Sequence, residues 1–116
     1  MDWLPFEDEL AMKTEKLVLK YNPDWSGAGE TFHPLYVPDD YMDKFSVEHS
    51  GEYRLSVHFT RESWNGRIKA CRGIGASSLT DEQKSDWEKE HLKMLEDYPE
   101  EFDIMHFAAY AVLKKK

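Results

Sequence analysis

At 116 residues, with 41% hydrophobic and 14% aromatic content and a formal net charge of −8, the chain has the length of one domain and too many aromatics for a disordered one. A lone Cys71 excludes an internal disulfide and a four-cysteine zinc site and suits a reducing cytoplasm. No apolar run approaches the ~20 residues of a membrane span, Met1–Glu9 is acidic rather than signal-like, and the acidic balance argues against nucleic acid as a partner.

Glu7–Tyr21 reads as a helix, because Leu10, Thr14, Leu17, Val18 and Tyr21 recur on one face of a 3.6-residue period. Asn22-Pro23 stops it, since proline disfavours the α region for its predecessor. The following loop, through Ser26-Gly27-Ala28-Gly29 to Pro38, carries Trp25, Phe32, Leu35 and Tyr36 and is expected to pack down onto the domain. A short helical turn is expected at Asp39–Asp43. Phe45, Val47 and His49, then Tyr53, Leu55, Val57 and Phe59, alternate with polar residues on either side of Ser50-Gly51-Glu52. This pattern predicts a β-hairpin with Val47 opposite Leu55 and Phe45 opposite Val57.

Thr60 is placed to cap a helix over Arg61–Arg72 with an apolar stripe of Trp64, Ile68 and Cys71, ended by Gly73. Thr80-Asp81-Glu82-Gln83 is a capping box for a longer helix to about Tyr98, with Trp87, His91, Met94, Leu95 and Tyr98 facing inward. Ile104–Leu113 is apolar on both faces apart from His106, the mark of a central strand rather than an edge. Lys114–Lys116 reads as a solvated tail. The fold class predicted is α+β: one domain over residues 1–116, with an antiparallel sheet of about three strands (hairpin plus C-terminal strand) packed with three to four helices.

Few residues stand in a catalytic pattern. His33, His49, His58, His91 and His106 show no helical i, i+4 pair with a glutamate, so they read as structural and no metal is expected. Cys71 on an apolar stripe behaves as a small hydrophobe. Gly73-Ile74-Gly75 follows a helix rather than a strand and lacks a third glycine, and Gly27-Ala28-Gly29 fails the same test for a phosphate loop. The main anomaly is electrostatic. Arg61, Arg67, Lys69 and Arg72 share one stretch with only Glu62, while Asp81–Glu101 holds nine acids and three lysines. Two readings stay open: the basic helix pairs with those acids, or its arginines form an anion site for a carboxylate or phosphate.

The stretch Phe59-Thr60-Arg61-Glu62-Ser63-Trp64-Asn65-Gly66-Arg67, followed by Ala70-Cys71-Arg72-Gly73-Ile74-Gly75-Ala76-Ser77, resembles the C-terminal part of bacterial class I S-adenosylmethionine-dependent methyltransferases. Trp3-Leu4-Pro5-Phe6-Glu7-Asp8-Glu9 looks like the segment leaving that family's fifth strand, and Glu101–Phe107 looks like its seventh. The resemblance spans nearly the whole chain, but only the C-terminal portion of a fold that commonly takes ~200–250 residues. It implies a last strand inserted antiparallel between the fifth and sixth.

The resemblance also implies that S-adenosylmethionine serves the full-length family, held chiefly by an N-terminal half whose glycine-rich loop and ribose-binding acid have no counterpart here. No cofactor is expected for this chain alone, and no catalytic competence. Trp3, Phe6 and Glu7 would lie near a methyl acceptor, with Trp64 packing its apolar part and Arg67 and Arg72 orienting an anionic group. The alternative is a non-enzymatic ligand-binding or oligomerisation module. Apolar surface on both faces of Ile104–Leu113 further predicts a homodimer. Small anionic or apolar molecules are the other expected partners.

Overall fold

The computed structural model describes residues 1–116. Two-residue strand β1 (Asp2–Trp3), α1 (Glu9–Tyr21), the short α2 (Asp39–Met42), β2 (Phe45–Thr60), α3 (Arg61–Lys69), α4 (Asp81–Leu95) and β3 (Glu101–Lys115) follow in chain order. The three strands form one sheet in the order β1-β3-β2, with β3 antiparallel to both neighbours. β1 and β2 therefore run parallel to each other on either side of the last strand. The fold is α+β, with a three-stranded antiparallel sheet and four helices, as the hydrophobic pattern predicts. No helix is long and apolar enough to cross a membrane.

The predicted hairpin is not formed. Phe45–Thr60 is one strand of 16 residues, paired with β3 from Phe45 opposite Lys115 to Thr60 opposite Glu101. Val47 lies opposite Leu113 and Leu55 opposite His106, so neither meets the other. Gly51 looks like a turn in sequence, yet it sits mid-strand opposite Tyr110. A Cβ there would come within 2.7 Å of the Tyr110 hydroxyl, so the cross-strand ring occupies the space a side chain would take. A bulge between Val47 and His49 adds Glu48 to β2 and reverses its facing. Phe45 and Val47 thus share a face with Leu113, whereas Leu55, Val57 and Phe59 share the other with Ile104.

Capping decides the helix ends. Pro5–Glu7 forms its own 3₁₀ turn, and the Asp8 side chain accepts from Ala11 N at 2.9 Å, so α1 starts two residues later than predicted. Thr60 and Ser63 cap α3 reciprocally, as Thr80 and Gln83 cap α4. α3 ends at Lys69 rather than Arg72, and the turns that follow bring Gly73 against Val18. A Cβ on Gly73 would lie 2.6 Å from Val18 Cγ1, so this glycine permits close packing. α4 ends at Leu95, with one further turn to Tyr98 before Pro99.

The core gathers Trp3 from β1, Leu10, Ala11, Leu17 and Val18 from α1, Trp64 and Ile68 from α3, Trp87 and Leu95 from α4, together with Ile74 and Ile104. On the opposite face of β3, Phe107 is covered by the loop after α1, through Phe32 at 5.9 Å and His33 at 5.1 Å between ring centroids. Trp25 and Phe32 pack down as predicted, but Leu35 is 47% and Tyr36 75% exposed. The expectation of cover on both faces of Ile104–Leu113 holds only for its first half. Beyond Phe107, β2 and β3 run out past the α1, α3 and α4 core as a ribbon in a molecule of 52 × 30 × 19 Å, with Leu35 and Tyr41 near Ala111 and Leu113 on one side and Tyr53, Tyr110 and Val112 exposed.

Candidate functional site

Beside β1 lies a cleft of about 290 Å³, lined chiefly by Asp2, Trp3, Trp25, Glu30, Arg67 and Arg72. Three segments build it: β1 supplies Asp2 and Trp3, the loop after α1 supplies Trp25 and Glu30, and the end of α3 with its following turn supplies the two arginines. The Arg67 guanidinium carbon stands 5.0 Å from the Trp3 ring centroid, close enough for a cation–π contact that leaves its N–H edge free.

The basic stretch divides by role. Lys69 pairs with Glu88 at 3.1 Å, and Arg61 donates through Nε to the Tyr98 carbonyl at 3.0 Å, tying α3 to the C-terminal end of α4. Arg67 and Arg72 take part in no ion pair and face the cleft. Pairing with the acids of α4 is thus seen for Lys69, while Arg67 and Arg72 share the cleft with Asp2 and Glu30.

The buried Glu15 holds the wall. Trp3 Nε1–H donates to its Oε2 at 2.6 Å, and Gly29 N–H donates to its Oε1 at 2.9 Å. Gly29 has a φ of 79°, a left-handed conformation that favours glycine, and this aims its amide at the carboxylate. Burial pushes the Glu15 carboxyl above its ordinary range, against the pull of the two hydrogen bonds. Glu15→Gln is expected to lower thermal stability by ~1–3 kcal/mol, because one amide oxygen must replace a carboxylate that serves two donors. A thermal melt at neutral pH checks it; an unchanged midpoint would mean the clamp is not holding the wall.

Of the residues singled out in sequence, Trp3, Arg67 and Arg72 meet in this cleft. Phe6 and Glu7 do not. Phe6 is 66% exposed, and Glu7 accepts from Arg54 Nε at 2.9 Å beside a separate groove of about 440 Å³ that runs to Lys16. Trp64 presents no surface to any ligand. It is completely buried, with Nε1–H donating to Thr14 Oγ1 at 3.1 Å. Asp2, Glu15, Trp25 and Glu30 escape a sequence reading; only Glu15, a charge beside the apolar stripe of α1, carries a signal that could have found it.

Cys71 also lines the cleft while packing on the core. No group of three His, Cys, Asp or Glu side chains is placed to hold a metal ion. His49 and His58 lie on opposite faces of β2. His58 stands 3.1 Å from Asp103 and 3.3 Å from Glu101, and these carboxylates raise its pKa. No protein-family model, curated protein or solved structure matches the chain.

Proposed function

We propose that this chain is the C-terminal, substrate-side portion of an S-adenosylmethionine-dependent small-molecule methyltransferase, and that the cleft beside β1 receives an anionic group of the methyl acceptor. The observation that carries the reading is the strand order. A last strand lying antiparallel between two parallel strands is the arrangement that the resemblance in Phe59–Arg67 and Ala70–Ser77 implies.

In this reading the cofactor supplies the methyl group, and the residues present do not fit the cofactor itself. A Cβ on Gly27 would lie 2.5 Å from the Trp25 indole nitrogen, and Gly73 is packed on Val18, so neither glycine pair opens a cradle. The cleft residues therefore supply no transfer step. Their part is orientation: guanidinium forks for a carboxylate or phosphate, and the Trp3 and Trp25 rings for a flat apolar body.

Calorimetry of the chain with benzoate, and separately with inorganic phosphate, tests the cleft. Arg67→Ala is expected to weaken anion binding about tenfold, on the order of the loss of one charge-assisted hydrogen bond, with the melting point within a few degrees of wild type. A large stability loss with no change in binding would make Arg67 a structural residue. A 1:1 complex of the isolated chain with S-adenosylmethionine at micromolar affinity would overturn the substrate-side assignment.

A second reading, a ligand-binding or oligomerisation module that self-associates as a dimer, is favoured by the uncovered ribbon. Tyr53 is 53% and Tyr110 46% exposed, on the same sheet face as Ile104 but further along the ribbon. An upstream reading frame encoding a strand followed by a glycine-rich loop would favour the methyltransferase over this module. Either reading suits a cytoplasmic protein.

A further inference from the structure

We infer that the molecule bound beside β1 is a zwitterion of amino-acid size with a flat apolar side chain. Arg67 and Arg72 take its carboxylate, and Asp2 and Glu30 take its ammonium. The inference rests on the reading of this cleft as an acceptor site and narrows that reading to one class of ligand.

The charge in the cleft is mixed and unpaired. Arg67, Arg72, Asp2 and Glu30 all line it, yet no ion pair joins either arginine to either acid. The elements that carry them hold them apart: α3 and its following turn for the arginines, β1 for Asp2, and the loop after α1 for Glu30. Arg67 lies over Trp3, 5.0 Å from the ring centroid. Glu30 is pinned through one oxygen, with His33 Nε2 at 2.9 Å from Oε1 and Thr31 N–H donating to the same atom at 3.1 Å. Its Oε2 is left for a further donor, and Asp2 takes part in no ion pair. A simple anion in this space meets two carboxylates as well as two guanidinium groups, and a phosphate leaves both acids unanswered. A ligand that carries both charges is attracted by both walls, and the like-charge contacts reject its singly charged relatives.

Size and shape narrow the class further. A volume of about 290 Å³ lies at the lower end of the roughly 300–1,000 Å³ usual for ligand sites, which suits one amino acid better than a peptide. Both indoles are fixed before any ligand arrives. Trp3 is anchored through Nε1–H on Glu15. Trp25 packs against Gly27 and Gly73, where a Cβ would come within 2.5 Å and 3.0 Å of its ring. Rigid aromatic walls cost little further ordering on binding and favour a flat apolar side chain.

Calorimetry at neutral pH with three probes of one shape tests the inference: L-phenylalanine, hydrocinnamate, which lacks the ammonium, and phenethylamine, which lacks the carboxylate. L-Phenylalanine is expected to bind about tenfold tighter than either, the order of one charge-assisted hydrogen bond. Asp2→Asn and Glu30→Gln, both nearly isosteric, are each expected to narrow its advantage over hydrocinnamate. Asp2 is exposed and unpaired, so Asp2→Asn keeps the fold and decides the matter even if Glu30→Gln loosens the loop on His33. A full advantage for L-phenylalanine in folded Asp2→Asn and Glu30→Gln overturns the inference. Equal binding of L-phenylalanine and hydrocinnamate by the wild type also overturns it and leaves the anion site standing. Failure of all three probes and of benzoate to bind, or tightest binding of phenethylamine, overturns the anion site as well.

Discussion

Trp64→Ala is expected to destabilise the fold by ~3–5 kcal/mol, the range for deleting a buried tryptophan side chain. Trp64 is completely buried, meets Trp3 edge-on at 5.5 Å and Phe59 at 4.9 Å between ring centroids, and anchors its N–H on Thr14. These contacts join β1, α1, β2 and α3, so the cavity left behind has no single neighbour able to fill it. The orphaned Thr14 hydroxyl, itself buried, adds the cost of an unpaired polar group. Against a typical total of 5–15 kcal/mol, the variant keeps little reserve, and its melting point should fall by on the order of 10–20 °C. Urea denaturation checks it through a lower midpoint at constant slope. If Trp64 were instead a wall for the acceptor, the variant would keep its stability and lose only ligand affinity.

The same residue shows what could be read from sequence. Trp64 and Ile68 stand one helical turn apart on the apolar stripe of α3, and that periodicity alone places Trp64 in the core. The functional role came from the resemblance and does not survive burial. The starts of α3 and α4 were legible because Thr60 and Thr80 carry their partners in sequence, at Ser63 and Gln83. The central position of β3 was legible because Ile104 and Phe107 are apolar on opposite faces and both are buried.

The hairpin was not legible. Ser50-Gly51-Glu52 has turn composition, while the feature that cancels the turn, the Tyr110 ring over Gly51, comes from a residue far along the chain. The bulge at Glu48 leaves no local trace either, since the apolar residues keep the same spacing through it. The cleft was half legible. Its arginines and Trp3 stood out by type, but Trp25 and Glu30 enter through a loop whose path is fixed by the buried carboxylate of Glu15 and by Gly29.

His91 is expected to make the fold acid-labile over a defined window. It is completely buried, with its ring stacked at 5.0 Å on Trp87, and Nδ1–H donates to Asn65 Oδ1 at 2.9 Å. Asn65 in turn donates to Glu88 at 2.9 Å, so the histidine sits neutral at the head of a chain that ends on Lys69. Its Nε2 has no partner, and a proton there would be a charge without solvent. Burial pushes the His91 pKa down to about 4 from the usual 6.5, outweighing the opposing pull of Glu88. Below pH 6.5 the unfolded chain then binds a proton that the native state refuses, so stability rises with pH across the window and is lost as pH falls from 6.5 to about 4. The full loss is ~3 kcal/mol at 1.36 kcal/mol per pH unit. Buried His106 acts in the same direction. The exposed His33 and His58, whose pKa values are raised by a carbonyl or by carboxylates, act in the opposite one. His91→Gln separates these contributions, because its amide can still donate to Asn65 and cannot titrate. Urea midpoints measured at pH 7, 6, 5 and 4.5 should fall more steeply for wild type than for the variant. Equal slopes in the two proteins would show that His91 takes up its proton in the native state as readily as in the unfolded chain.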